Sequence, residues 1–251
     1  MPKVIKRAIF VLTSPEAGEQ FLRVLPDLRG IGLTDAMVLH LLSADPGPAE
    51  PMPELANWVR HFEAAIPNVE LALKRGNAVK WLYELARVRQ VDIVVIAGTA
   101  QDEEWDMERV SSPLRSLGVP ILYLPDNQIE GSLATRVLVA VRSPDMFERT
   151  VKQLVEWFDP AQLKAVRVAD EADAAICPEC SGVKLETVPE EDDVATTLLH
   201  QAARCDATLL TILADEDANG PGMSTGVPVV KPLIEETDRP VMIWPMEAGA
   251  A

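Results

Sequence analysis

Residues 7–15 read Arg-Ala-Ile-Phe-Val-Leu-Thr-Ser-Pro, and residues 136–144 read Arg-Val-Leu-Val-Ala-Val-Arg-Ser-Pro. Each is a short apolar run of strand length that ends on Ser-Pro. Ser-Pro opens a helix: Ser14 or Ser143 caps it, and Pro15 or Pro144 suits the first helical position, where no N–H is required. The two stretches predict a strand turning straight into a helix, twice in one chain. After the second, Phe147, Val151, Leu154, Val155 and Phe158 recur at helical spacing and make one buried stripe. After the first the stripe is shorter, Phe21, Leu22 and Leu25, and Pro26 is expected to stop the helix.

Outward from these stretches the two halves stay in step. A second strand follows at Met37–Leu42 and at Leu163–Ala169, and a third begins at Val69 and at Val183. Each third strand meets a polar turn and a helix. Asn77 caps the first, which buries Val79, Leu82, Leu85 and Ala86; Asp192 or Asp193 caps the second, which buries Val194, Leu198 and Ala202. Both helices run into apolar strands at 92–98 and 207–213, and each half closes on a Pro-led strand, from Pro120 and from Pro240. Strands that alternate with helices and read as continuous apolar runs imply a parallel sheet covered on both faces. Right-handed crossovers then give an α/β fold of two tandem, doubly wound, parallel-sheet sandwiches. The expected units are 1–125 and 136–251, with the polar stretch 126–135 as linker. The second is shorter between its first and third strands by about 15 residues, the length of the helix expected over Met52–Ala65 in the first. That helix is expected to be missing or vestigial in the second half, leaving a sheet face that needs a partner surface.

Composition narrows the function. Of 251 residues 48% are apolar, enough for a sizeable core, and no run nears the roughly 18 apolar residues of a membrane span. A net charge of −16 with no basic cluster argues against nucleic acid as a partner. No export signal is read at the start, and three cysteines make no disulfide framework, so the expected location is the cytoplasm.

The order and spacing of these segments resemble the universal stress protein family in its tandem form. Leu39-His40-Leu41-Leu42 resembles the family's second strand. Val69 to Gly98 resembles its third strand, the turn at Gly76, and the helix leading to an Asp-led fourth strand that ends on Gly. Val119-Pro120-Ile-Leu-Tyr-Leu resembles its closing strand. The resemblance covers nearly the whole chain. It implies five-stranded sheets whose closing strands pair across a dimer interface, which a tandem chain would form within itself as an intramolecular pseudo-dimer. A homodimer of such chains is the further option.

ATP-binding members of that family carry an acidic residue after the first strand. They also carry a phosphate loop, Gly-x2-Gly-x9-Gly followed by Ser or Thr, after the fourth. Here the acidic position holds Thr13 in the first half and Arg142 in the second. Gly98 fits the opening glycine, but the next position is Gln101, and only the hydroxyls of Ser111 and Ser112 survive at the end. Asp102, Glu103, Glu104 and Asp106 would repel a triphosphate. The second half has Gly220, Gly222 and Gly226 with Ser224 and Thr225, at a spacing that does not match. The plain reading is ordinary loops at the carboxyl edge of each sheet. The functional alternative is ATP or AMP, or another anion, held by Thr13, Ser14, Gly98, Ser111 and Ser112. A second-half anion site would use Arg142, Ser143 and Ser224.

Cys177-Pro-Glu-Cys180, with His200 and Cys205 downstream, brings together residue types that bind zinc, so zinc at Cys177 and Cys180 is a minority alternative. A redox role for the pair is disfavoured because Ser181-Gly182 and a strand follow it, where a helix would be needed. His40 reads as a satisfied core histidine inside a strand. No nucleophile–base set, Walker loop or metalloprotease motif is present, and no catalytic residue is named. The sequence thus favours a non-catalytic stress-response or regulatory binding module with degenerate nucleotide loops, acting through a protein partner or self-association. The alternative is an ATP- or AMP-binding protein with weak hydrolysis.

Overall fold

The computed structural model describes residues 5–42, 52–98, 110–111, 113–114, 116–126, 131–169, 178–214 and 229–245. In the first half the elements run β1 (Arg7–Val11), α1 (Pro15–Gly30), β2 (Asp35–Leu42), α2 (Leu55–Ala65), β3 (Asn68–Arg75), α3 (Ala78–Arg89), β4 (Ile93–Ala97) and β5 (Ile121–Leu124). The second half runs β6 (Val137–Ala140), α4 (Pro144–Leu154), β7 (Leu163–Val168), β8 (Glu179–Cys180), β9 (Val183–Val188), α5 (Val194–Arg204), β10 (Leu209–Ala214), α6 (Val230–Glu236) and β11 (Val241–Pro245).

Both Ser-Pro signals act as read. Ser14 and Ser143 are extended, and each accepts a hydrogen bond from the backbone N–H three residues on, Ala17 at 3.2 Å and Met146 at 3.3 Å. Asn77 caps α3 through the Lys80 N–H, and Asp193, of the two candidates, caps α5 through the Thr196 N–H. The Asp193 carboxyl is held below its usual range first by that N–H and then by the Thr196 hydroxyl. Pro26 does not end α1, which continues to Gly30. Proline forfeits one helical hydrogen bond, but the turn beyond it buries Leu28 and places Asp27 where its carboxylate accepts from Ser132 Oγ and Leu133 N–H, both at 2.7 Å. The end of α1 thereby anchors the segment that leads into β6.

The strands lie in the order β3-β2-β1-β4-β5-β11-β10-β6-β7-β9-β8. The first five repeat in the second half as β9-β7-β6-β10-β11, all parallel within their half. The closing strands of the two units meet, and the two five-stranded sheets run on as one. β5 and β11 pair antiparallel, with Leu122 opposite Met242 and Ile121 opposite Ile243. The joint has a simple cause: each half ends on an apolar edge whose unpaired N–H and C=O groups are satisfied by the other. The closing strands share one interface, as the resemblance implied.

Period-two alternation divides the buried side chains between the two faces. Phe10, Val38, Val95, Leu122, Val139 and Met242 face α1, α2 and α4. Ile9, Leu39, Ile96, Leu138, Leu210 and Ile243 face α3, α5 and α6. Both apolar layers extend across both halves. Gly18 lets α1 approach α2 closely, since a Cβ there would lie 2.6 Å from the Trp58 ring. The start of β1 is fastened to β4 through Asp92, whose carboxylate accepts from the N–H groups of Lys6 and Arg7. Thr208 does the same duty in the second half, accepting from the Arg136 N–H at 3.0 Å.

Most of the interval in which the second half was expected to lack a helix, residues 170–177, lies outside the described residues. The described residues that remain between β7 and β9 hold β8. Ser181 and Gly182, both at positive φ, form its tight hairpin with β9. β8 contacts α4, and Cys180 packs on the apolar layer there. Sequence periodicity did not reveal α6 or the helical turn at Val110 and Ser111, which cover the opposite face. No helix among the described residues is long and apolar enough to cross a membrane.

Candidate functional site

β1 lies between β2 and β4, so the connection through α1 leaves on one side while β4 flanks the other. Open α/β sheets form their crevice at such a switch point, at the carboxyl ends of the strands. Thr13 and Ser14 follow β1 there and Gly98 follows β4, so three of the five candidate residues converge. Ser111 is buried on the helical turn and already engaged within the chain. Ser112 lies outside the described residues, as do Gln101 to Asp106 and the glycine-rich loop with Ser224.

The polar groups that converge are committed locally. Thr13 Oγ1 donates to the Ala97 carbonyl at 3.5 Å, which ties the end of β1 to the end of β4. Ser14 Oγ accepts from the Ala17 N–H, and its hydroxyl also serves the Glu16 carboxylate. That carboxyl is held below its usual range first by its own backbone N–H and then by Ser14. Gly98 adopts φ +79°, a conformation that favours glycine, but its N–H donates to the Leu124 carbonyl at 3.1 Å. A Cβ on Gly98 would sit 3.1 Å from an Asp126 carboxylate oxygen, so the rim carries two acids, Glu16 and Asp126. A crevice built to hold phosphate aims free N–H groups at it; here the N–H of Gly98 and the hydroxyl of Ser14 are spent. Ser14→Ala should cost about 1 kcal/mol through loss of the cap, with Ser14→Asn nearly neutral. Urea denaturation of the two variants checks this, and an equal loss in both would show that the hydroxyl does something other than cap.

In the second half Arg142 and Ser143 hold the matching place after β6, with Arg142 exposed and Ser143 spent on its cap. Of the zinc-type residues, Cys177 lies outside the described residues. Cys180 packs on the α4 side of the sheet and Cys205 on the α5 side, which separates the set. His200 is exposed and pairs through Nδ1 with Glu191 at 2.5 Å. Among the described residues no group of three or more metal-ligating side chains gathers. His40 is buried, with Nδ1 2.9 Å from the Leu12 carbonyl and Nε2 accepting from the Met52 N–H at 3.4 Å, the satisfied core histidine expected.

A universal stress protein from Archaeoglobus fulgidus DSM 4304 superposes over 96% of this chain and 96% of its own, with a TM-score of 0.65 at 15% identity. The chain has the fold of the universal stress proteins. A candidate universal stress protein from Pseudomonas aeruginosa UCBPP-PA14 and a functionally unknown protein from Pseudomonas aeruginosa PAO1 also match. Each has a TM-score of 0.61 at 10% identity and covers 96% of this chain, with 93% and 92% of their own lengths aligned. These alignments span both halves, so the universal stress protein likeness is not confined to the first. No protein-family profile and no curated protein matches the chain.

Proposed function

We propose that this chain is a tandem universal stress protein, with units 1–125 and 136–251 joined by 126–135, that works as a non-catalytic stress-response or regulatory binding module in the cytoplasm. The observation that carries the reading is the state of the β1–β4 crevice. Ser14 is a helix cap, the Gly98 N–H is bonded to Leu124, and the Glu16 and Asp126 carboxylates stand at the rim. Like charge at the rim opposes a triphosphate. The sequence carries no recognised nucleophile–base motif, which favours binding over catalysis in this reading. Its partner is a protein, and neither nucleic acid nor a membrane suits a chain of net charge −16.

One observation favours a second reading, ATP or AMP binding with weak hydrolysis: Gly98 keeps its positive φ at the switch point. Thermal unfolding with millimolar ATP and AMP separates the two. A nucleotide at 100 times its Kd adds about 2.7 kcal/mol, or roughly 5–10 °C in Tm for a chain of this size. We expect no shift. A shift of that size, lost in Thr13→Ala, would overturn the degenerate-loop reading. Phosphate release lost in Ser111→Ala/Ser112→Ala would overturn the non-catalytic one.

A further inference from the structure

β3 is one outer edge of the sheet, eight residues long and paired among the described strands only with β2. Its Asn68 N–H donates to the Thr34 carbonyl on the β2 side. By strand alternation the N–H and C=O groups of Val69, Leu71 and Leu73 therefore point outward from the edge, while the Arg75 carbonyl at its end already accepts from the Trp81 indole N–H at 2.9 Å. Natural edges of this length are usually shortened, bulged or covered. This one also displays Leu71 and Leu73, 39% and 41% exposed, two of the three large apolar side chains exposed among the described residues.

The sequence of the edge is complementary to its own reverse. Turned antiparallel about Ala72, Leu71 meets Leu73 of the other copy, Val69 meets Arg75, and Glu70 meets Lys74. The outward-pointing residues then all face outward-pointing residues, which is what an antiparallel ladder requires. A twofold axis makes each contact twice, so two Glu–Lys pairs lie on one face and two leucine pairs on the other. Shifting the axis to residue 71 or 73 puts Glu70 or Lys74 opposite Ala72 and loses both ion pairs. We propose that the chain self-associates into a dimer by pairing β3 with β3 of a second copy, antiparallel and centred on Ala72. The occupant is a second copy because the strand's own reverse places Lys74 opposite Glu70 and leucine opposite leucine. The chain already joins its own halves by an antiparallel edge pair at β5 and β11.

Glu70 and Lys74 also make contacts within the chain, to Arg89 at 2.6 Å and over the Trp81 ring at 4.6 Å. The test must separate those from the interface, and charge reversal does so. Sedimentation velocity over a concentration series should show a reversible monomer–dimer equilibrium for the parent chain. Glu70→Lys and Lys74→Glu should each raise the dimer Kd at least about tenfold by placing like charges opposite one another twice. The double variant Glu70→Lys/Lys74→Glu, folded by circular dichroism, should return to within about threefold of the parent, because only the intermolecular pairing is restored. A parent chain monomeric at about 100 μM, a dimer indifferent to the single reversals, or a double variant no better than either single one overturns the proposal. So does mass that keeps growing beyond the dimer, the mark of head-to-tail pairing with another edge.

Discussion

Phe10→Ala is expected to lower the unfolding free energy by about 3–5 kcal/mol. Phe10 comes from β1, Phe21 from α1 and Phe62 from α2, and all three are fully buried. Their rings meet edge to face, with centroids 5.3 Å apart for Phe10–Phe21, 4.8 Å for Phe10–Phe62 and 6.3 Å for Phe21–Phe62. Truncation removes the ring that touches both others and leaves a hole bounded by a strand and two helices, which cannot collapse without moving a layer. Each lost aromatic pair adds roughly 0.5–1.5 kcal/mol to the cost of the area. Domains are stable by about 5–15 kcal/mol, so this one change consumes much of the margin. Urea titration followed by circular dichroism should show a lower midpoint at unchanged slope. A loss below about 1 kcal/mol would mean the three rings do not form the packed centre described.

Leu122→Ala should cost about 2–5 kcal/mol, and the whole chain should feel it. Leu122 is fully buried on β5 opposite Met242 of β11, in the apolar layer that α1, α2 and α4 share. Because that layer and the sheet pass through the joint, unfolding should remain a single transition in the parent and in the variant. Amide exchange should accelerate in β6 and β10 of the second half as well as in β1 and β4 of the first. Two resolved transitions, or a second half whose protection is untouched, would show halves that stand alone and a joint that only rests between them.

Much of this architecture was legible because it is set locally. Ser14-Pro15 and Ser143-Pro144 start helices by capping chemistry confined to four residues, and the apolar runs around Ile9, Val94, Val139 and Leu210 mark strands buried on both sides. What escaped depends on distant partners. Pro26 looked like a stop because its helical cost is local, whereas Leu28 burial and the Asp27 contacts that outweigh it involve Leu133, more than a hundred residues away. The resemblance implied that the closing strands pair, but the antiparallel sense and the register, Leu122 opposite Met242, depend on two distant edges meeting and are specified by neither alone. The crevice shows the same division. Thr13, Ser14 and Gly98 were identified from order along the chain, and they converge. That the Gly98 N–H is bonded to Leu124 and that Asp126 borders it are tertiary facts that residue spacing does not encode.

The strand reversal at β5 and β11 sets the two crevices at opposite poles of the molecule. The carboxyl ends of β1 and β4 open one way, and those of β6 and β10 open the other, with the length of the strands between. A molecule docked at one pole would leave the other sterically open, and the two poles are joined by a body that the β5–β11 pair and both apolar layers make continuous.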